Sequence, residues 1–210
     1  MIKYKHTNLI IGAVTALLFL ALYNISTFAY NCQAIRNDTI RLHVVANSDS
    51  EADQELKLKV RDAILQQCPG IFDGTITAED AKAKILAETE NLKATAQKTI
   101  AENGFEYSVN VALTTEYFST RVYENNVTLP AGKYLALKIV IGNGTGKNWW
   151  CIMFPSLCLP AAEKNNEDSI NNVFNQQEKS IIFESEKYEI RFRIVEYTEL
   201  IKKYLGTKSE

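Results

Sequence analysis

The chain has 210 residues, 46% of them apolar and 23% charged, with a net charge of -2. That length carries one domain with a real core plus appendages, and the slightly acidic balance argues against a nucleic-acid binder. Only two histidines occur, and His6 lies in the N-terminal flank, so His43 is the one histidine of the folded part, which limits metal and acid–base options.

Lys3, Lys5 and His6 precede an almost wholly apolar run from Leu9 to Tyr23. A basic flank before such a run reads as an export signal. Extended through Ala29 the run reaches roughly 20 residues, enough to cross a bilayer. Residues 1–30 are therefore expected to be a signal peptide or a signal anchor. For the signal-peptide alternative, cleavage after Ala29 would place Thr27 and Ala29 at the small-residue positions, of which Thr27 is a poor fit. Asn31 before Cys32 lacks the small residue of a lipobox. The lysines stay in the cytoplasm and the remainder is exported.

Export changes how Cys32, Cys68, Cys151 and Cys158 read, because disulfides persist outside the cytosol. Four cysteines allow three complete pairings. Cys151 and Cys158 are the nearest pair, and a bond between them would close a small loop worth about 2–3 kcal/mol in the chain-entropy model. Two buried free thiols are the alternative. No CxxC spacing supports a zinc site.

Residues 31–38 read as a linker and 39–205 as one extracytoplasmic domain. Its first unit is a strand with Leu42 and Val44 on one face and Arg41 and His43 on the other. Asn47-Ser-Asp-Ser50 then offers helix N-caps, and Glu51 and Asp53 place negative charge in the first turn. Leu56, Val60 and Ala63 or Ile64 form the buried stripe of that helix, which Pro69-Gly70 is expected to stop. After a turn near Asp73-Gly74, Thr77 caps a long helix from about Ala78 to Asn103, with Ile85, Leu92, Ala96 and Ile100 inward. The period then changes to two. Phe105 to Leu113 reads as a half-buried strand, Thr120 to Tyr123 as another, and Tyr134 to Ile141 as the strongest, with a turn at Leu129 to Gly132. The expected fold is α+β: an N-terminal signal or transmembrane helix, then a mostly antiparallel sheet carrying two main helices.

Gly142-Asn-Gly-Thr-Gly-Lys-Asn148 fails as a phosphate loop. Three residues rather than four separate Gly142 from Gly146, and Asn148 stands where Ser or Thr must hold magnesium. It reads as a flexible turn. Trp149 to Pro160 holds both tryptophans, two cysteines and two prolines. A long regular element is not expected there. It reads either as a cysteine-stapled loop filling the core edge or as an exposed aromatic recognition loop. Residues 165–180 read as a polar surface excursion, Tyr188 to Val195 as a strand, Glu196 to Leu205 as a closing helix and 206–210 as a tail.

His43 near Ser48 and Asp49 superficially offers a base, a nucleophile and an orienting carboxylate, but catalysis needs these groups to meet in space. No catalytic residue, metal ligand or cofactor is assigned.

Two separated blocks resemble the stage II sporulation protein R family. The first is Ile40-Arg-Leu-His-Val-Val-Ala-Asn-Ser-Asp-Ser-Glu-Ala-Asp-Gln54, continuing through Leu56-Lys57 and Val60-Arg-Asp62. The second joins Leu129-Pro-Ala-Gly-Lys-Tyr134 to Ile141-Gly-Asn-Gly-Thr-Gly-Lys-Asn-Trp-Trp-Cys-Ile-Met-Phe-Pro-Ser-Leu-Cys158. Tyr117-Phe-Ser-Thr-Arg121 lies between them. Ser156 replaces a usual proline and Met153 a usual aliphatic residue. The resemblance implies a signalling protein made in the forespore and exported into the space between forespore and mother cell. It implies a partner there, the mother-cell membrane protease that processes the sigma-E precursor, activated by non-catalytic binding. The expected partner-binding residues are Asn47, Ser48, Asp49, Asp53, Trp149, Trp150 and Phe154. An exported hydrolase and a structural cell-envelope protein are the alternatives.

Overall fold

A computed structural model describes residues 2–72, 74–75, 77–123, 127–155 and 166–206. Helix α1 (Ile2–Asn37) leads into strand β1 (Ile40–Val45), then helices α2 (Glu51–Ile71) and α3 (Ala78–Glu102). Strands β2 (Val109–Phe118), β3 (Arg121–Val122), β4 (Thr128–Leu129), β5 (Gly132–Ile141) and β6 (Asn148–Phe154) follow. Helices α4 (Asn166–Val173), α5 (Gln176–Phe183) and α6 (Glu189–Gly206) close the chain, with a short 3-10 turn at Ser185–Tyr188 before α6. The expected tail beyond Gly206 lies outside the described residues.

The main sheet has the order β2-β5-β1-β6. β1 runs parallel to β5, while β6 on β1 and β2 on β5 are antiparallel. The α+β class with a mostly antiparallel sheet is therefore observed. The side-chain alternation of strands gives the sheet two faces. On one, Leu42 and Val44, Leu137, Ile139 and Ile141, and Cys151 and Met153 pack under α2 and α3. Ile85, Leu92, Ala96 and Ile100 of α3 are all buried, as their spacing requires, and the Thr77 side chain accepts from Asp80 N–H as the N-cap.

The other face is also covered in part by helices. There Tyr134, Ala136, Phe118 and Ile152 meet Phe28, Cys32 and Ile35 of α1 and Ile181, Ile182, Phe192 and Val195 of α5 and α6. The stretch expected as a linker is thus the end of α1: Asn31, Cys32, Ile35 and Arg36 are buried, and Arg36 Nη1 donates to Ala131 O at 2.9 Å. α1 leaves the domain as a bare apolar rod, with Leu9, Leu17, Phe19 and Tyr23 exposed. It is long and apolar enough to cross a membrane.

Several elements differ from expectation. α2 continues through Pro69 to Ile71, because Leu65 and Cys68 are buried and Ile71 and Phe72 pack on the core, so packing holds a last turn that proline only weakens. β2 starts at Val109 rather than Phe105, since its partner β5 ends at Ile141, opposite Val109. Trp149 to Phe154 is a regular strand, fixed by pairing with β1. The polar excursion of 165–180 contains α4 and most of α5. Ile170 and Phe174 are buried there, and Asn175 and Glu178 form a capping box. The strand expected from Tyr188 to Val195 is helical. Two apolar stripes of α6 interleave at Ile190, Phe192 and Ile194 and imitate a period of two.

Candidate functional site

The corner after β1 is a clasp. Asp53 in the first turn of α2 is 3% exposed, and its Oδ2 accepts from Ser48 Oγ at 2.5 Å and Asn47 Nδ2 at 2.9 Å. Ser50 caps α2, its hydroxyl accepting from Asp53 N–H at 3.2 Å. Burial alone would raise the Asp53 carboxyl. Hydrogen bonds from Ser48, Asn47, Tyr107 and Ser50 outweigh it and hold the group below its ordinary range.

The turn from Gly142 to Lys147 closes onto this corner. Asn47 Oδ1 accepts from Asn143 N–H at 2.9 Å, and Asn47 O accepts from Thr145 Oγ1 at 2.7 Å. Ala46 O accepts from Gly146 N–H at 3.0 Å, and Asp49 Oδ1 accepts from Lys147 N–H at 2.7 Å. A Cβ at Gly146 would lie 2.1 Å from Ser48 O, and Gly142 has a φ of +55. Only glycine permits both the approach and the left-handed turn. The two blocks that carry the family resemblance thus meet here. Asn47, Ser48 and Asp53 are occupied with each other, and of the four expected corner residues only Asp49 is exposed.

β6 divides the remaining expected residues. Phe154 is buried at 3% exposure in the core under α2 and α3. Trp149 is half-buried on that same side, with the Arg61 guanidinium 4.3 Å from its ring centroid. Trp150 points to the opposite face, stacked on His43 at 3.8 Å between centroids and 18° between planes. Phe118 meets it edge-on at 4.9 Å, and Arg121 lies 5.4 Å from its ring. Cys151 is buried and disulfide-bonded. Cys158, its expected partner, lies outside the described residues. Cys32 and Cys68 are buried free thiols.

His43 sits at the junction of these aromatic rings and a polar network. Its Nδ1 donates to Glu116 Oε2 at 2.5 Å, since a carboxylate only accepts. Its Nε2 lies 2.7 Å from Asn148 Oδ1. Lys138 Nζ donates to Glu116 Oε1 at 2.6 Å. Burial alone would raise the Glu116 carboxyl, but the Lys138 and His43 hydrogen bonds outweigh it and keep it below its ordinary range. Behind this group Arg41 is fully buried. Its Nη2 donates to the Tyr123 hydroxyl, and its guanidinium lies 4.0 Å from the Phe118 centroid and 5.0 Å from that of Tyr134. Burial pushes Arg41 down to about 10.

Ser48 turns to Asp53 and away from His43, so base, nucleophile and carboxylate are not assembled there. Both ring nitrogens of His43 are engaged by protein groups, and the residue is 5% exposed. What this end of the sheet does offer is a half-exposed patch of Trp150, Glu116 and Lys138, bordered by exposed Arg121 and Asn148.

A family model described as stage II sporulation protein R matches residues 36–164, more than half of the chain. The chain belongs to the stage II sporulation protein R family. A relative, stage II sporulation protein R of Bacillus subtilis strain 168, is 33% identical over 182 residues, covering 78% of this chain and 81% of the relative. No solved structure matches. Family membership gives the chain a role in sporulation, and its N-terminal apolar helix is consistent with a secreted or membrane-anchored member. The matched residues of this chain contain the clasp, His43, Glu116, Lys138 and all of β6.

Alternation along β1 places Arg41 on the same face as His43, but residue spacing does not reveal Glu116, Lys138 or Arg121 as parts of this group. The available signal is parity. Glu116 shares a face of β2 with Phe118, and Lys138 shares a face of β5 with Tyr134, so polar residues interrupt that face in both strands.

Proposed function

We propose that this chain is an exported sporulation signal that acts by binding. It is made in the forespore and engages, from the intermembrane space, the extracytoplasmic part of the mother-cell membrane protease that processes the sigma-E precursor. Activation requires only that it bind the active form of the protease more tightly than the inactive form. The observation that carries this reading is the half-exposed patch around Trp150, held by strands within a chain of this family. Its chemistry suits protein recognition: an aromatic anchor, a guanidinium and a fixed carboxylate–lysine pair.

The corner residues Asn47, Ser48 and Asp53 serve this surface indirectly, by fixing the turn that begins β6. Asp49, Trp149 and Trp150 keep exposed atoms and remain candidate contacts, while Phe154 acts from the core. We propose in addition that Cys151 pairs with Cys158 and closes the chain after β6.

The test is activation of the purified, membrane-embedded protease by this protein. Trp150→Ala and Arg121→Glu should weaken activation while leaving the fold intact by circular dichroism. His43→Gln should weaken activation in part, by loosening the stacked Trp150, without abolishing it. A protease whose activity stays flat across a series that saturates binding sinks the proposal. Activation abolished by His43→Gln in a fully folded protein would favour chemistry at the imidazole instead.

A further inference from the structure

α6 is apolar on two sides. Phe192 and Val195 are buried against the domain. On the other side Ile190, Ile194, Tyr197 and Ile201 recur at steps of four, three and four, and Tyr204 adds a step of three. Ile190, Tyr197 and Ile201 are 77%, 67% and 58% exposed, while Ile194 is half-buried and lines an open groove with Ala21 and Ile25 of α1. Alternating three- and four-residue steps are the seam of a helix that packs along another helix.

The direction of α6 narrows the occupant. Phe28 of α1 meets Phe192 edge-on at 5.3 Å, and Arg36 Nη2 lies 3.7 Å from Glu199 Oε1. Eight residues along α1 thus match seven along α6, so the two helices run in the same general direction. Where α1 crosses a bilayer, α6 leads away from the membrane rather than back into it. Two copies anchored in one membrane therefore present their α6 seams in parallel. Ile194 and Ile201 fall at the a positions, where β-branched residues favour parallel pairs. In that register Arg193 faces Thr198 of the second copy and Leu200 faces its Leu205, so no like charges oppose.

We propose that the anchored form self-associates through α6, with Ile194 and Ile201 meeting the same residues of a second copy across a twofold axis along the bilayer normal. The seam offers an area of the order of 600 Å² per copy, below the ~800 Å² of a standard interface. Two features offset the shortfall. α6 is already folded onto its domain, and anchoring confines both copies to one plane, which raises their effective concentration. The inference is independent of the signalling reading, since a monomer and a dimer can each bind a protease.

The experiment uses the full chain in lipid vesicles. Cysteine placed at Ile194 or Ile201 should crosslink to itself under oxidation. Cysteine placed at exposed Glu90 on α3 should not. Cys32 and Cys68 are buried, and the unsubstituted chain oxidised alongside shows any band due to the native cysteines. Adding Tyr197→Glu to Ile194→Cys should abolish the crosslink without changing the melting curve. Crosslinking at Ile201→Cys no greater than at Glu90→Cys overturns the proposal, as does a dimer indifferent to Tyr197→Glu. A monomer whose label at position 201 is quenched by lipid-borne quencher assigns the seam to the bilayer and overturns it equally.

Discussion

Asp53→Asn separates a clasp from a contact surface. The Asp53 carboxylate accepts from Ser48 Oγ and Asn47 Nδ2 while 3% exposed. The amide keeps the volume but turns an NH₂ group toward donors. Two charge-assisted hydrogen bonds are lost or inverted, and their donors stay in a partly buried corner. Each such bond is worth about 1.5–3 kcal/mol, and compensation by water at the half-exposed Asn47 and Ser48 reduces the sum, so a loss of about 3 kcal/mol is expected. For a chain of this size that lowers the melting temperature by about 6–12 °C. Urea unfolding of the full chain in detergent, followed by tryptophan fluorescence, measures it, because Trp149 and Trp150 lie on the strand that the clasp positions.

The pH dependence of the same group has a definite sign. The Asp53 carboxyl is depressed on folding, because the hydrogen bonds it accepts outweigh its burial. Its contribution is therefore complete above its ordinary value of 3.8 and is lost as pH falls through the lower folded value. Asp53→Asn should be less stable than the parent at neutral pH, and the gap should narrow in strong acid. A loss under about 1 kcal/mol at neutral pH, or a gap that widens in acid, would falsify the clasp.

Gly146→Ala should destabilise by about 1–3 kcal/mol, because its Cβ meets the Ser48 carbonyl rather than a movable side chain; Gly70→Ala, with nothing within 4 Å, is the control, and equal melting temperatures for the two would refute the close approach. Phe28→Ala should cost about 3–5 kcal/mol, since Phe28 is buried against Tyr188 and Phe192; a melt within 2 °C of the parent would show that α1 merely rests on the domain. Arg41→Met should be neutral or stabilising, because among the described residues the fully buried Arg41 has no acidic partner and its Nε and Nη1 make no hydrogen bond; a loss above about 2 kcal/mol in urea would mean that the aromatic cage favours the cation more than burial penalises it.

The α3 stripe, the Thr77 cap and the β5 alternation were legible because each is a local pattern that the core reads directly. The clasp was legible only in part. Asn47 to Asp53 announces a helix start, but that its side chains are consumed by Gly142 to Lys147 is a contact across almost a hundred residues. The single signal for it is a pair of glycines with no phosphate to bind. α5 was obscured by composition, since Ile181 and Ile182 follow a run of Asn, Gln and Glu. α6 was obscured by an excess of apolar signal. Its two stripes overlap in the first turns, where Ile190, Phe192 and Ile194 alternate as a strand would. A count taken over the full eighteen residues separates them into two helical stripes.

The division of the second sheet face explains why His43 looks catalytic in sequence. β1 is central, so every polar side chain it carries must find partners within the fold. Arg41 lies where the helices cover the face and, among the described residues, meets rings and a phenol. His43 lies at the margin of that cover and meets Glu116, Asn148 and Trp150. The same residue is therefore both a buried group needing satisfaction and the floor of an open surface. A protein that acts by differential binding gains from such a floor. Trp150 is held by a strand and stacked on a ring fixed from both nitrogens, so little side-chain freedom remains to be lost when a partner arrives. Replacing His43 should thus loosen Trp150 before it alters any chemistry, and fluorescence anisotropy of Trp150 in a Trp149→Phe background would read that loosening directly.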